Sequence, residues 1–316
     1  MDVALVRNRS NGSKTVVLIW CICVCFYFLI LQMAFKNSSS HNHPAASSSS
    51  DPSVSNGEQR SILYDKMEKD LEEHGARFLQ HGETSQSLLL SELFTVKDGS
   101  LRPVLKEAKP PVRANVLYLN PEYSIPIAEA VKHVFKSYFD KAIWFQNSSL
   151  YHFSMFHASH HILPVPATVE EVEAEATAVK AVAEGICPLK IVLDRVVLTS
   201  TGVLMGCWQV ISGTDPISIR VKLRAALPHA PEKQLYDAAI LHTSFARLLG
   251  SPKAASMEQS NQLQFFQELV SRLNDKIRGF EAFVSELWYV EEYDVLALAL
   301  DGRLNVRRFQ LGCNRA

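Results

Sequence analysis

Apolar and polar residues alternate along this chain in three regimes. The first is a run without a single charge, Thr15 to Phe35, reading TVVLIWCICVCFYFLILQMAF. A helix crossing a hydrocarbon core takes roughly 20 residues, so the run predicts a transmembrane anchor over 15–35. A cleaved signal peptide has an apolar core of only about 7–15 residues ending in small side chains, and Gln32-Met33-Ala34-Phe35 offers no such ending. The second regime, 36–60, is rich in Ser with His, Asn and Pro. It offers almost nothing to bury, so it predicts a disordered stem.

The third regime carries periodicity. Ile62 to Gln80 has helical spacing of apolar residues. Lys109-Pro110-Pro111 marks a break, so 61–111 reads as a helical N-terminal extension and 112–316 as the main domain. Within that domain Val112–Leu119 and Ser149–His157 read as strands, and Ile125–Phe139 as an amphipathic helix. Thr168-Val169-Glu170-Glu171 fits a capping box opening a second helix, closed before Gly185. Leu189–Thr199 and Val203–Ile211 form a hairpin signal around Thr201-Gly202. Asp215–Leu227 alternates like a strand, but Asp215-Pro216 suits the start of a helix, and helix is preferred. Asp237–Leu248 reads as a strand and Asn261–Ile277 as a helix. Phe283–Tyr289, Tyr293–Leu300 and Arg303–Leu311 read as strands, the last two joined at Asp301-Gly302. Hairpins interspersed with helices predict an α+β domain with antiparallel sheets.

Charge then sets orientation and partners. Arg7, Arg9 and Lys14 precede the apolar run and Lys36 alone follows closely, which places 1–14 in the cytosol and the bulk in the lumen. That is a type II membrane protein of the secretory endomembranes, with the Golgi as the expected organelle. Asn37 and Asn147 open Asn-x-Ser triplets that would then meet glycosylation machinery. The formal net charge is −1, and no basic stripe of the kind a long nucleic acid requires is visible; a small ligand is expected instead. Outside the apolar run, Cys187, Cys207 and Cys313 are an odd set, unlike a disulfide framework. One bridge, Cys187–Cys207 for instance, stays open in an oxidising lumen.

Two strands share a pattern that chemistry can use. Leu150-Tyr151-His152-Phe153-Ser154-Met155 and Ile240-Leu241-His242-Thr243-Ser244-Phe245 each place a His and a Ser two residues apart. Positions i and i+2 of a strand share a face. Opening a cyclic phosphodiester needs a base to activate water and an acid to protonate the leaving oxygen, and His suits both. Two hydroxyls can hold the phosphoryl oxygens. His157-Ala158-Ser159 also matches His-x-Ser, but His160 follows it and the alternation breaks, so it reads as a chance match. The His157, His160, His161 group has no Cys or carboxylate beside it at ligand spacing, so no metal is expected.

This pair of apolar-His-x-Ser-apolar strands resembles the signature of the two-histidine phosphoesterase superfamily, which includes RNA 2′-5′ ligase-like proteins and plant cyclic nucleotide phosphodiesterases. The resemblance covers roughly Val112 to Leu311. It implies a bilobal α+β fold with two antiparallel sheets, one motif in each, and cofactor-free hydrolysis of a 2′,3′-cyclic or similar small phosphate. It assigns His152 and His242 to acid and base, with His242 preferred as base, and Ser154 and Ser244 to phosphate binding. Many members have Thr at the two Ser positions; the hydroxyl survives. Two other functions are weighed beside it. A two-histidine fold without turnover would be a binding or scaffold module. A Golgi glycosyltransferase would suit the expected topology, but the lumenal region has no Asp-x-Asp for a metal-bound nucleotide sugar.

Overall fold

The computed structural model describes residues 55–80, 82, 84, 86, 88–97, 100–139, 141–252 and 259–313. The elements in chain order are α1 (Asn56–His74), α2 (Arg77–Gln80), α3 (Leu90–Leu93), β1 (Phe94–Lys97), β2 (Ser100–Pro103), β3 (Glu107–Tyr118), α4 (Pro121–Phe139), β4 (Ile143–Phe145) and β5 (His152–Ser159). They continue with α5 (Val169–Glu184), β6 (Leu189–Leu198), β7 (Val203–Ser212), α6 (Pro216–Ala226), β8 (His242–Leu248), α7 (Gln259–Ile277), β9 (Glu281–Val284), β10 (Glu286–Asp294), α8 (Ala297–Leu300) and β11 (Leu304–Gln310).

All pairing is antiparallel. One sheet runs β11-β10-β3-β5, a second runs β4-β8-β7-β6-β9, and β1 pairs with β2 alone. The α+β class with antiparallel sheets is therefore what the sequence pattern predicts. The transmembrane part of the expected fold is not upheld. No helix among the described residues is long and apolar enough to cross a membrane; α1, α4 and α7, each of 19 residues, all carry charged side chains. The segment 15–35 and the triplet at Asn37 lie outside the described residues.

Local chemistry explains most boundaries. Thr168 and Glu171 form the expected capping box, each side chain meeting the other's backbone N–H at 3.3 and 2.7 Å. Asp215 accepts from Ile217 N at 3.0 Å and Pro216 follows, so α6 is a helix despite its alternation. Gly202 turns β6 into β7 at φ +82°, and a Cβ there would meet Leu248 O at 2.6 Å, so only Gly fits.

Other boundaries move. Helix α1 starts inside the tract expected to be disordered, because Ser55 accepts from Glu58 N and caps it. Strand β3 runs through Pro110 and Pro111, where β10 has a register shift and β5 has not yet begun to pair, so no ladder donor is missed there. The strand expected over 237–248 begins only at His242. The one expected over 293–300 is instead the end of β10 and α8, with Leu296 and Asp301 both left-handed at its ends. Cys187 bonds to Cys313 rather than Cys207, which stays free and buried. β11 brings Cys313 back to α5, where Gly312 N donates to Ala183 O.

The region before 112 packs into the core of the domain. Helix α1 lies against β6 and β7. Its Tyr64 is fully buried with Val203, Met205, Cys207 and Ile240. Arg60 pairs with Asp215 at 2.9 Å. Leu71, Phe78, Leu90, Leu93 and Phe94 belong to the main core.

Candidate active site

The two motifs begin two strands in two different sheets. His152 is the first residue of β5, at the edge of the four-stranded sheet; His242 is the first of β8, inside the five-stranded one. Register fixes their faces, since directly opposed residues share one. In β5, His152 opposes Tyr118 and Ser154 opposes Val116. In β8, His242 opposes Cys207 and Ser244 opposes Met205. The intervening Tyr151, Phe153, Leu241 and Phe245 are buried on the other side, where the Tyr151 and Phe245 rings lie 5.5 Å apart. That packing brings β5 against β8. His152, Ser154, His242 and Ser244 then line one cleft of about 100 Å³, room for a phosphate-sized group and a little water.

Both strands carry the same irregularity. In β5 the pairing skips Met155, and in β8 it skips Phe245. In each case the extra residue directly follows the Ser. A bulge re-aims the side chains beyond it, so the residue three after each Ser joins the cleft: His157 after Ser154, and Arg247 after Ser244. Strict alternation points both away. His157 thus lines the cleft with His160 and His161, while Ser159, the other half of its His-x-Ser, is buried and accepts from Val165 N. Among the described residues no group of three or more His, Cys, Asp or Glu is placed to hold a metal ion.

The polar groups of the cleft fall into two sets. Several are tied down. His152 Nδ1 donates to Leu150 O at 2.7 Å, since that carbonyl can only accept. The neutral ring therefore turns an unprotonated Nε2 away from the backbone. His160 accepts from Leu163 N and donates from Nε2 to Lys233 O. Gln234 holds both backbone groups of His157. Gln86 Nε2 donates to the Tyr236 hydroxyl at 2.9 Å, and the Gln86 backbone carbonyl lies 3.3 Å from His161 Nε2. The Tyr236 ring lies 4.9 Å from that of His242.

The second set is unpaired. His242 Nδ1 and Arg247 Nη1 are buried with no hydrogen-bond partner among the described residues. Burial pushes His242 down to about 3, with further depression from the charges of Arg220 and His152. His152 is lowered by burial too, opposed by the Leu150 carbonyl. Burial also takes His157 to about 3 and Arg247 to about 10. Glu292, on β10, is raised by burial to about 7. Before an anion enters, His152, His157 and His242 therefore favour the neutral form, the Arg247 guanidinium is charged, and Glu292 titrates near neutrality. An anion entering there meets a cation, two hydroxyls and imidazoles whose protonation it favours.

Asn147, the second candidate for glycosylation, is exposed at the turn before β5. Its side-chain oxygen accepts from Ser149 N at 3.0 Å and its nitrogen donates to Asp301 at 3.1 Å.

No family model and no curated protein matches this chain. Solved structures do. TT0787 of Thermus thermophilus is 12% identical with a TM-score of 0.43, over 65% of this chain and 100% of its own. LigT of E. coli in apo form is 14% identical with a TM-score of 0.38, over 64% and 98%; LigT complexed with 3′-AMP is 14% identical at 0.37, over 64% and 99%. These TM-scores are too low to carry fold or function over to this chain, and the case for its activity rests on its own cleft.

Proposed function

We propose that this chain is a metal-independent phosphodiesterase that opens a small cyclic phosphate, such as a 2′,3′-cyclic nucleotide. The observation that supports it most is convergence: two His-x-Ser strands from separate sheets line one cleft that also holds the Arg247 guanidinium, whose buried Nη1 has no partner among the described residues. In this reading the phosphate sits between the two imidazoles, with Ser154, Ser244 and Arg247 on its oxygens.

In this reading the hydrogen bonding favours His152 as base and His242 as acid, the opposite of the order preferred from the sequence. His152 has its Nδ1 hydrogen committed to Leu150 O, so Nε2 takes the proton of water as its oxygen attacks phosphorus. The same carbonyl then steadies the imidazolium formed. His242 becomes the acid. It is neutral before the anion enters, and the bound anion raises its pKa so that it gains a proton on binding. That proton passes to the leaving oxygen as the P–O bond breaks. One proton is accepted and one given, and the product is an open monoester.

The test is hydrolysis of 2′,3′-cyclic nucleotides by the purified protein, followed by product analysis. Parent turnover with losses of about 10²–10⁴-fold in His152→Ala and in His242→Ala supports the assignment. Variants as active as the parent contradict it. Phosphate binding without any parent turnover favours a binding module instead.

A further inference from the structure

Arg220 projects from α6 between the two sheets and is 7% exposed. Its nitrogens reach four carbonyls. Nε donates to Met155 O at 3.0 Å and Nη2 to Ser154 O at 2.9 Å. The second Nη2 hydrogen goes to Ile240 O at 2.8 Å, and Nη1 donates to Ala238 O at 2.7 Å. Two of these carbonyls belong to the first motif strand, one of them to Ser154 itself. The other two lie in the segment that leads into His242. One planar fork thus spans both halves of the cleft. No carboxylate is within ion-pair distance of it among the described residues; Asp237 and Asp215 act on it only through space.

A buried charge is costly unless its surroundings answer it. Here four carbonyl dipoles answer it, and no counter-ion does. Its charge reaches the cleft, where it acts on both His242 and His157. We propose that Arg220 is a positioning residue that fixes the spacing of the two His-x-Ser strands and adds standing positive potential for the phosphate. This rests on the phosphoesterase reading above, but makes a separate demand on geometry and charge. Lys keeps the charge on a single nitrogen and cannot bridge four carbonyls in a plane. Gln loses the charge as well.

The experiment compares the parent, Arg220→Lys and Arg220→Gln. It measures cyclic-phosphate hydrolysis, inorganic phosphate affinity by calorimetry, and thermal unfolding. Arg220→Lys is expected to bind phosphate within about threefold of the parent, while kcat falls at least about tenfold with KM little changed, because positioning acts on the transition state. Arg220→Gln is expected to lose about tenfold in phosphate affinity besides. Should the variants unfold, the parent alone decides: phosphate titration should shift the Arg220 Nε–H resonance. A folded Arg220→Lys with parental kcat, an Arg220→Gln with parental phosphate affinity, or an unmoved resonance overturns the proposal. A parent that binds phosphate but turns over no cyclic phosphate contradicts the reaction, not the clamp, which the affinities and the resonance still decide.

Discussion

Replacing Tyr64 by Phe removes one oxygen atom and leaves the ring, so no cavity opens. That oxygen donates toward Trp208 O at 2.8 Å and Leu241 O at 2.9 Å, and accepts from Leu241 N at 3.1 Å. Leu241 O keeps a partner, since Trp208 N also donates to it at 2.9 Å. The Leu241 N–H keeps none, and it is buried immediately before His242. Stranding a buried donor costs about 1–3 kcal/mol. For a domain of this size each kcal/mol moves Tm by about 2–4 °C, so the expected fall is roughly 2–12 °C. Urea unfolding followed by circular dichroism should show a lower midpoint at unchanged m. Cyclic-phosphate hydrolysis should fall as well, because the lost bond holds the backbone beside a catalytic histidine. A change within about 0.5 kcal/mol, the range of an indifferent surface substitution, would refute the claim that α1 secures the second motif.

Three further outcomes follow from the same contacts. A chain beginning at Val112 should fail to fold cooperatively by circular dichroism, since it lacks Tyr64, Leu71, Phe78, Leu93 and Phe94 of the core; a sharp unfolding transition would restore the shorter domain. Arg247→Leu should weaken inorganic phosphate binding by about 10–100-fold, the worth of a charge-assisted hydrogen bond, and leave stability intact because its Nη1 has no partner to lose; unchanged affinity in calorimetry would remove Arg247 from the site. Stability should fall as pH drops from about 6.5 towards 3. His157 and His242, both at about 3 when folded, are protonated more readily in the unfolded chain, each lending a slope of up to about 1.4 kcal/mol per pH unit. Glu292, at about 7 when folded, opposes them by stabilising as pH falls from about 7 to 4.3; two against one leaves a net loss between pH 6 and 5, and a flat urea midpoint there would contradict the burial of these rings.

The motif strands were legible because His152, Ser154, His242 and Ser244 each precede the irregularity in their strand, where period two still holds. His157 and Arg247 follow it, and a bulge leaves no mark in a hydrophobic pattern when Met155 and Phe245 are apolar like their neighbours. Caps were legible where a side chain does the capping, as at Thr168 and Asp215. The start of α1 was hidden because Ser55 lies among many serines and nothing in the sequence marks it as the cap. Long-range pairing was not legible at all. Nothing near Cys187 points to Cys313 at a separation of 126 residues, and nothing near Tyr64 or Arg220 marks them as partners of backbone beside the motifs.

The central claim is that the two His-x-Ser strands form one phosphate site. A crystal structure of the protein soaked in inorganic phosphate tests it directly. A phosphate is expected in the cleft, with imidazole nitrogens of His152 and His242 on opposite sides and roughly 5–8 Å apart, about two hydrogen-bond lengths plus the phosphate. Ser154, Ser244 and Arg247 are expected within hydrogen-bond distance of the oxygens. A phosphate bound only elsewhere, or one in the cleft that touches neither histidine, contradicts the account.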